Sequence, residues 1–304
     1  MNSQNQIFFS PIPYSIYAET FGNQSKNVCV FIPGGYHSGV GYVQTPDGRN
    51  GWAKLAADLG YYSIVTDMPG TGRSGSVPFE LINSQFIVDG YRKLIEQIDG
   101  DITLFVHSIS GSYGFKLLEM LPNKIKRLVA VEPSMFGNIQ QILIPIKETE
   151  STVTVNFHGL DFTLDMTKTA PPSKQSVDRF TTINNPDKKL FPKYSEIDIA
   201  QYTASLQNIH PQLLYELFNI KESKLKINDF NRLSESKILV ITSPDDPLHK
   251  EEDIKVVSKL REENCNVEHW EKGSHGTAGN SHMMMLEKNN VELFNEIHNW
   301  ISKN

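Results

Sequence analysis

Cysteine is nearly absent from this chain: two residues, Cys29 and Cys265, in 304. Two thiols cannot build a disulfide framework, and each falls in an apolar stretch that reads as a strand, so both are expected as buried free thiols. No apolar run approaches the roughly 18 residues that a membrane-spanning helix needs. The opening MNSQNQIFFSPIP lacks the basic start and long apolar stretch of a secretory leader, which makes the cytoplasm the expected location. Positive charge is not in excess either. A net charge of −6 argues against a nucleic-acid partner, because phosphate binding needs a basic surface. Internal repeats, low-complexity tracts and an H-E-x-x-H motif are all missing. His249, His269 and His275 lack ligand spacing, so neither a metal nor another cofactor is expected. What remains is ordinary globular material. Hydrophobic residues at 39% and aromatics at 10% suffice for a core, in a length that suits one α/β unit carrying an insertion.

Short apolar runs alternate with helical patterns. VCVFI at 28–32, YSIVT at 62–66, ITLFV at 102–106, RLVAV at 127–131 and ILVI at 238–241 are nearly continuous in apolar residues, as strands buried on both faces are. Between them, Trp52, Leu55, Ala56 and Leu59 share one helical face before Gly60. Ile87, Tyr91, Leu94, Ile95 and Ile98 make a second stripe that ends near Gly100. Phe115, Leu118 and Leu121 make a third, ended by Pro122, and Leu293 or Phe294, Ile297 and Ile301 mark a fourth. This alternation predicts a mostly parallel sheet with helices on both faces. It lapses over residues 134–236. There, alternating residues around His158-Gly159 predict a hairpin, Pro171-Pro172 and Asn185-Pro186 punctuate, and 213–220 reads as helical. The expected organisation is therefore a core in two parts, 1–133 and 237–304, with a cap inserted at 134–236. A separate binding domain is the alternative for that segment.

Chemistry concentrates in a few loops. ITLFV runs straight into His107-Ser108-Ile109-Ser110-Gly111, with a helix after it. A sharp strand–turn–helix can hold a serine above the sheet, provided small residues let backbone and helix approach. Ser110, Gly111 and Gly114 supply smallness on the helix side, whereas Val106 stands where glycine is usual. Ser108 is the expected nucleophile and Ser110 the alternative. A serine needs a base and donors for a developing oxyanion. Pro33-Gly34-Gly35-Tyr36 follows the first apolar strand and can turn the Gly35 N–H inward, with the Ile109 N–H as second donor.

The expected base is His282, on a glycine-rich loop just before the last helix, with His275 as fallback. Met283, Met284 and Met285 are expected as pocket wall or core. Two carboxylates could orient the imidazole: Glu132, at the end of one strand, and Asp246, after another. Either gives the order serine, acid, histidine. Two further signals carry less. Gly70-Thr71-Gly72-Arg73-Ser74-Gly75 matches G-x-G-x-x-G, but no helix pattern opens after it, so no nucleotide is expected. The run Glu251-Glu252-Asp253 reads as a solvated helix start.

Together these segments resemble the α/β-hydrolase superfamily. Pro122 lies fourteen residues beyond Ser108 and Glu287 five beyond His282, and residues 67–74 (DMPGTGRS) resemble that superfamily's loop after the fourth strand. A closer resemblance is to a group of bacterial serine esterases. That group carries Thr-Pro-Asp-Gly-Arg-x-Gly-Trp, here residues 45–52, and Gly-Asn-Ser-His-Met-Met-Met, here 279–285, with Val131-Glu132-Pro133 as well. The resemblance implies an α/β-hydrolase fold with an inserted cap and an esterase-type serine hydrolase. Its triad would be Ser108, His282 and an acid, with Gly35 and Ile109 as oxyanion donors. In that group the acid is the glutamate after the sixth strand, which favours Glu132 over Asp246. Two features depart from the group: the cap follows the Glu132 strand, and Thr277-Ala278 precede the histidine as extra residues.

The expected reaction is cleavage of a carboxylic ester or lactone through an acyl-serine. Amidase, thioesterase or C–C hydrolase chemistry on the same triad stays open, as does a non-catalytic ligand receptor of the same fold or a cofactor-independent lyase or oxygenase. The expected partner is a small ester-type molecule, with neither nucleic acid nor membrane, and a homodimer is compatible with the sequence.

Overall fold

The computed structural model describes residues 14–157, 159–174, 176–177, 196–243, 246, 249–271, 280 and 282–304. Its strands in chain order are β1 (Ala18–Phe21), β2 (Asn27–Ile32), β3 (Tyr62–Thr66), β4 (Asp101–His107), β5 (Ile125–Val131), β6 (Lys147–Glu148), β7 (Thr152–Phe157), β8 (Leu160–Asp165), β9 (Lys237–Thr242) and β10 (Asn266–Glu271). Seven of them make one sheet in the order β1-β3-β2-β4-β5-β9-β10. Every pairing is parallel except β1 with β3. The five apolar runs become its five inner strands. The two edges, β1 and β10, carry no such run: β10 buries only Trp270 fully.

Alternation within each apolar run explains why it is apolar throughout. Val28, Val30 and Ile32 face one layer, with Leu104, Val106, Leu128 and Val240. Cys29 and Phe31 face the other, with Phe105, Val131 and Ile241. The first layer is closed by α3 (Ser84–Glu96) and α4 (Ser110–Met120), the second by α2 (Trp52–Asp58) and α8 (Asn290–Lys303). Helix α3 starts where the Asn83 side chain accepts from the Phe86 N–H at 2.8 Å, which satisfies one orphan donor of its first turn. Leu59, expected on the buried face of α2, falls just past its end and is exposed. Cys29 and Cys265 are both buried free thiols.

The described residues of 134–236 add no strand to the main sheet. Strands β6, β7 and β8 form a small antiparallel sheet. Phe157 pairs with Leu160 across a tight turn whose Gly159 has φ +80°, a conformation open to glycine without strain. His158 lies outside the described residues, as do Asn185 and Pro186. Helices α5 (Glu196–Ser205) and α6 (Pro211–Leu217) follow. Val153, Val155, Leu164, Ile209 and Leu213 join the first apolar layer. The segment thus packs onto the main core and has no core of its own among the described residues.

Helix α7 (His249–Glu262) begins at the acidic run, but not as a purely solvated start. Asp253 is completely buried and accepts from the Thr242 hydroxyl at 2.7 Å. A four-residue turn of helix, α1 (Val40–Val43), completes the set that borders the site.

Candidate active site

The turn between β4 and α4 holds Ser108 at φ +54°, a left-handed conformation that a side-chain-bearing residue enters only under local constraint. The constraint is visible. The Ser108 N–H donates to the Val131 carbonyl at 3.1 Å, and its carbonyl accepts from the Gly111 and Ser134 N–H groups at 2.8 Å each. A Cβ on Gly111 would sit 2.4 Å from the Pro133 side chain, so only glycine fits there. Val106, in the position usually held by glycine, is matched on the helix side: a Cβ on Gly114 would approach it to 2.7 Å. Smallness has moved from strand to helix. Ser108 is partly exposed, whereas Ser110 is fully buried. The Ser110 hydroxyl accepts from the His107 N–H at 2.9 Å and lies 2.9 Å from the His107 carbonyl, which gives it a capping arrangement rather than an accessible one.

The two halves of the chain meet at His107, next to Ser108. Its Nε2 lies 2.9 Å from the His282 carbonyl, and the two rings are 4.6 Å apart. A carbonyl can only accept, so His107 Nε2 carries the proton. Burial holds the His107 imidazole well below its ordinary pKa, hence neutral. His282 is itself buried, and its Nδ1 stands 2.6 Å from Asp246 Oδ2. With Nδ1–H donated to the carboxylate, Nε2 is left as an acceptor.

The expectation that Glu132 rather than Asp246 faces the imidazole is reversed. Glu132 sits one residue past β5 at φ +45°, its N–H donating to the Ile241 carbonyl at 2.9 Å. Its carboxylate accepts from the Ser243 N–H. Ser243 in turn donates its hydroxyl to the Asn280 carbonyl, two residues before His282. Glu132 therefore braces Ser243, just past β9, and through it the Asn280 carbonyl. His275, Thr277 and Ala278 lie outside the described residues.

The loop after β2 supplies the remaining parts. A Cβ on Gly35 would meet the side chains of Ile209 at 3.2 Å and Ile109 at 3.4 Å, so the two expected oxyanion donors are neighbours, walled by an apolar residue of the 134–236 segment. Among the described residues neither the Gly35 nor the Ile109 N–H has a hydrogen-bond acceptor. Gly34 is squeezed: a Cβ there would fall 2.5 Å from His107 Nδ1. His37, which the sequence reading passed over, binds this loop to α5. Its Nδ1 is 2.7 Å from the Gly35 carbonyl and its Nε2 2.8 Å from the Tyr202 hydroxyl. Nδ1 therefore donates and Nε2 accepts from the phenol. Burial pulls the His37 pKa down to about 4.

The run at 45–52 has a structural role. Arg49 donates to the carbonyls of Leu286, Glu287 and Lys288 at 3.1–3.3 Å and to Asn290 Oδ1 at 2.6 Å. Asp47 holds its Nε at 2.8 Å. Trp52 Nε1 donates to the Asn290 carbonyl at 3.0 Å. The segment just beyond His282 is thus gripped from the other end of the chain, and Met283, Met284 and Met285 are buried in the second apolar layer. Asn280 adds a contact to Glu287 and one to Asn289 at 2.8 Å.

Two overlapping groups bring metal-capable atoms within 4.8 Å of one another: Asp246, His249 and His282, and Glu132, His249 and Asp253. They share His249, whose ring stacks on His282 at 5.1 Å, and the facing atoms of Asp246 and His282 are engaged with each other. Of the residues the sequence reading missed, Ser243 and Arg49 carried a signal. Ser243 follows a parallel strand, and Arg49 is the one long cation of a specific run. His37 carried none beyond residue type; His249, set aside in the sequence for want of ligand spacing, is brought beside the other groups only by the fold.

A model of the alpha/beta hydrolase family matches residues 29–296, through both halves of the sheet. The chain belongs to this family. The probable secreted lipase phiG of a fungus (Fungal sp., strain ATCC 74256) is 22% identical over 350 residues, covering 95% of this chain and 86% of the lipase. Among solved structures, a novel bacterial esterase matches with a TM-score of 0.57 at 17% identity, over 100% of this chain and 92% of its own. A serine hydrolase involved in carbazole degradation matches with a TM-score of 0.64 at 13% identity, over the full length of both chains. At such identities the likeness to the solved structures is one of fold. Among the described residues no helix is long and apolar enough to cross a membrane.

Proposed function

We propose that this α/β-hydrolase is a serine esterase that cleaves a carboxylic ester or lactone through an acyl-Ser108 intermediate. One observation carries the reading: a serine held at positive φ lies next to the His107–His282 contact, and His282 is oriented by Asp246. In the first half-reaction the Ser108 Oγ attacks the ester carbonyl carbon while its proton passes to His282 Nε2. The carbonyl oxygen becomes an oxyanion and accepts from the Gly35 and Ile109 N–H groups. Such donors are worth about 10²–10³ in rate each. Collapse breaks the bond to the alcohol oxygen, which takes the proton from His282. Water then repeats the sequence on the acyl-serine and frees the acid.

Asp246 is the acid of this triad, and Glu132 a positioning residue that braces Ser243. Residues 134–236 act as a cap between core segments 1–133 and 237–304, with Ile209 over the oxyanion donors. The specific runs at 45–52 and 279–285 support membership of the bacterial esterase group. The free, buried thiols suit a reducing cytoplasm, and cell fractionation tests that location, since the fungal relative is named as secreted. The reading itself is tested by a fluorophosphonate probe. The folded wild type is expected to be labelled at Ser108 and Ser108→Ala to stay blank. An unlabelled, folded wild type contradicts it.

A further inference from the structure

Asp253 is not accounted for by the fold alone. It is completely buried, and its Oδ2 accepts from the Thr242 hydroxyl at 2.7 Å. Its Oδ1 accepts no hydrogen bond from any described residue. Among the described residues its one ion-pair partner is His249 Nδ1, at 3.9 Å, which is too long for a hydrogen bond. A carboxylate buried in this way is costly, because buried charges are paired or hold metals.

His249 and Asp253 stand four apart at the start of α7, so one helical face carries both. Glu132, also fully buried, lies against that face from the end of β5. Each of the three brings one ligand atom within 4.8 Å of the other two. Donors on one Zn²⁺ are about 3.4 Å apart at tetrahedral angles and about 4.2 Å when opposite. The His249–Asp253 spacing falls between these, and settling by less than about 1 Å per ligand closes the whole set. Two carboxylates and a neutral imidazole carry two negative charges, which a divalent ion cancels. Oxygen donors alone would suit Ca²⁺ or Mg²⁺, whereas an imidazole with carboxylates suits Zn²⁺. The ligands are also held from outside, as metal ligands commonly are. The Ser243 N–H binds the Glu132 carboxylate. Thr242 gives its proton to Asp253, so its oxygen accepts from His269 Nε2 at 2.9 Å.

We infer that Glu132, His249 and Asp253 form a binding site for one Zn²⁺ ion. Asp246 and His282, engaged with each other at 2.6 Å, are left out of it, and the site stands whether or not the protein is an esterase. The ion fastens the end of β5 to the start of α7. Because the His249 and His282 rings stack at 5.1 Å, that fastening lies directly beside the proposed base.

Calorimetric titration of chelator-stripped protein with Zn²⁺ tests the site. The wild type, Ser108→Ala and Asp246→Asn are each expected to bind one ion with similar affinity. Asp253→Asn, His249→Gln and Glu132→Gln should each weaken binding by at least about 100-fold, since loss of a mere outer partner already costs about 10–100-fold. Saturating Zn²⁺ should also raise the Tm of the wild type by about 4 °C and leave that of Asp253→Asn unmoved. X-ray absorption at the zinc edge of the loaded wild type reads the ligands without any substitution, so a variant that fails to fold leaves the question decidable. One imidazole among oxygen donors supports the site. No ion bound by the wild type, a shell with two or more imidazoles, or full affinity in Asp253→Asn overturns it. Loss of the ion from folded Asp246→Asn overturns it as well, and moves the ion to Asp246, His249 and His282.

Discussion

Asp246 and Glu132, the two carboxylates grouped around His249, differ in what they accept. Asp246 takes the His282 Nδ1–H at 2.6 Å, whereas Glu132 takes a backbone N–H from Ser243. A carboxamide can replace the second acceptor but not the first, because Asn can present an N–H to the imidazole and stabilise the wrong tautomer. Asp246→Asn is therefore expected to lower kcat by about 10³–10⁴-fold, and Glu132→Gln by no more than about tenfold, one hydrogen bond's worth. Steady-state kinetics on a single chromogenic ester checks both, and the opposite ranking would return the acid to Glu132. This choice was not legible in the sequence. Both residues follow apolar strands, both precede His282, and the deciding fact, a left-handed Glu132 tied to the neighbouring strand, is a property of backbone geometry. Asp253 is a similar case: three adjacent acids read as solvated, yet the turn of α7 sends one of them inward to Thr242.

Among the elements, the inner sheet was easy to read and its edges were not. Strands buried on both faces must be apolar at every position, which leaves a plain trace at 62–66 or 238–241. Edge strands β1 and β10 are under no such demand, and β10 reads as a polar stretch because most of its residues are exposed or half-buried. The loops that build the site were legible where glycine was obligatory, as at Gly34 and Gly111. They were silent about what a long polar side chain reaches. Arg49 is the clearest instance, since its partners lie more than 230 residues away in sequence. Charge-assisted hydrogen bonds of this kind, only partly exposed, contribute about 1–3 kcal/mol together. Arg49→Ala is expected to lower stability by that amount in urea titration and to reduce kcat through a looser His282 segment. Arg49→Lys, which keeps the charge but loses the fork, should recover only part of both. Wild-type stability and kcat in Arg49→Ala would show the clamp to be idle.

For the whole molecule, buried histidines make stability depend on pH. The folded pKa of His37 is about 4, against 6.5 when unfolded, so between these values the unfolded chain binds a proton that the folded one refuses. Stability from this residue is complete above about pH 6.5 and declines by about 3 kcal/mol as pH falls to 4. His107 acts in the same direction. Asp253, whose carboxyl burial raises well above its ordinary range, acts oppositely as pH rises past 3.8. The informative quantity is thus a difference. Between pH 7 and pH 4 the wild type should lose about 3 kcal/mol more than His37→Gln, measured by urea unfolding at each pH. Equal losses would mean that His37 takes up its proton in the folded state without penalty.

The Arg49 clamp has one more consequence, for the order in which the molecule comes into being. A ribosome releases Arg49 and Ser108 long before residues 286–290, so the nascent chain can assemble most of its sheet while His282 still has nothing to anchor it. The placement of His282 beside Asp246 should then arrive abruptly, only once residues 286–290 have been made.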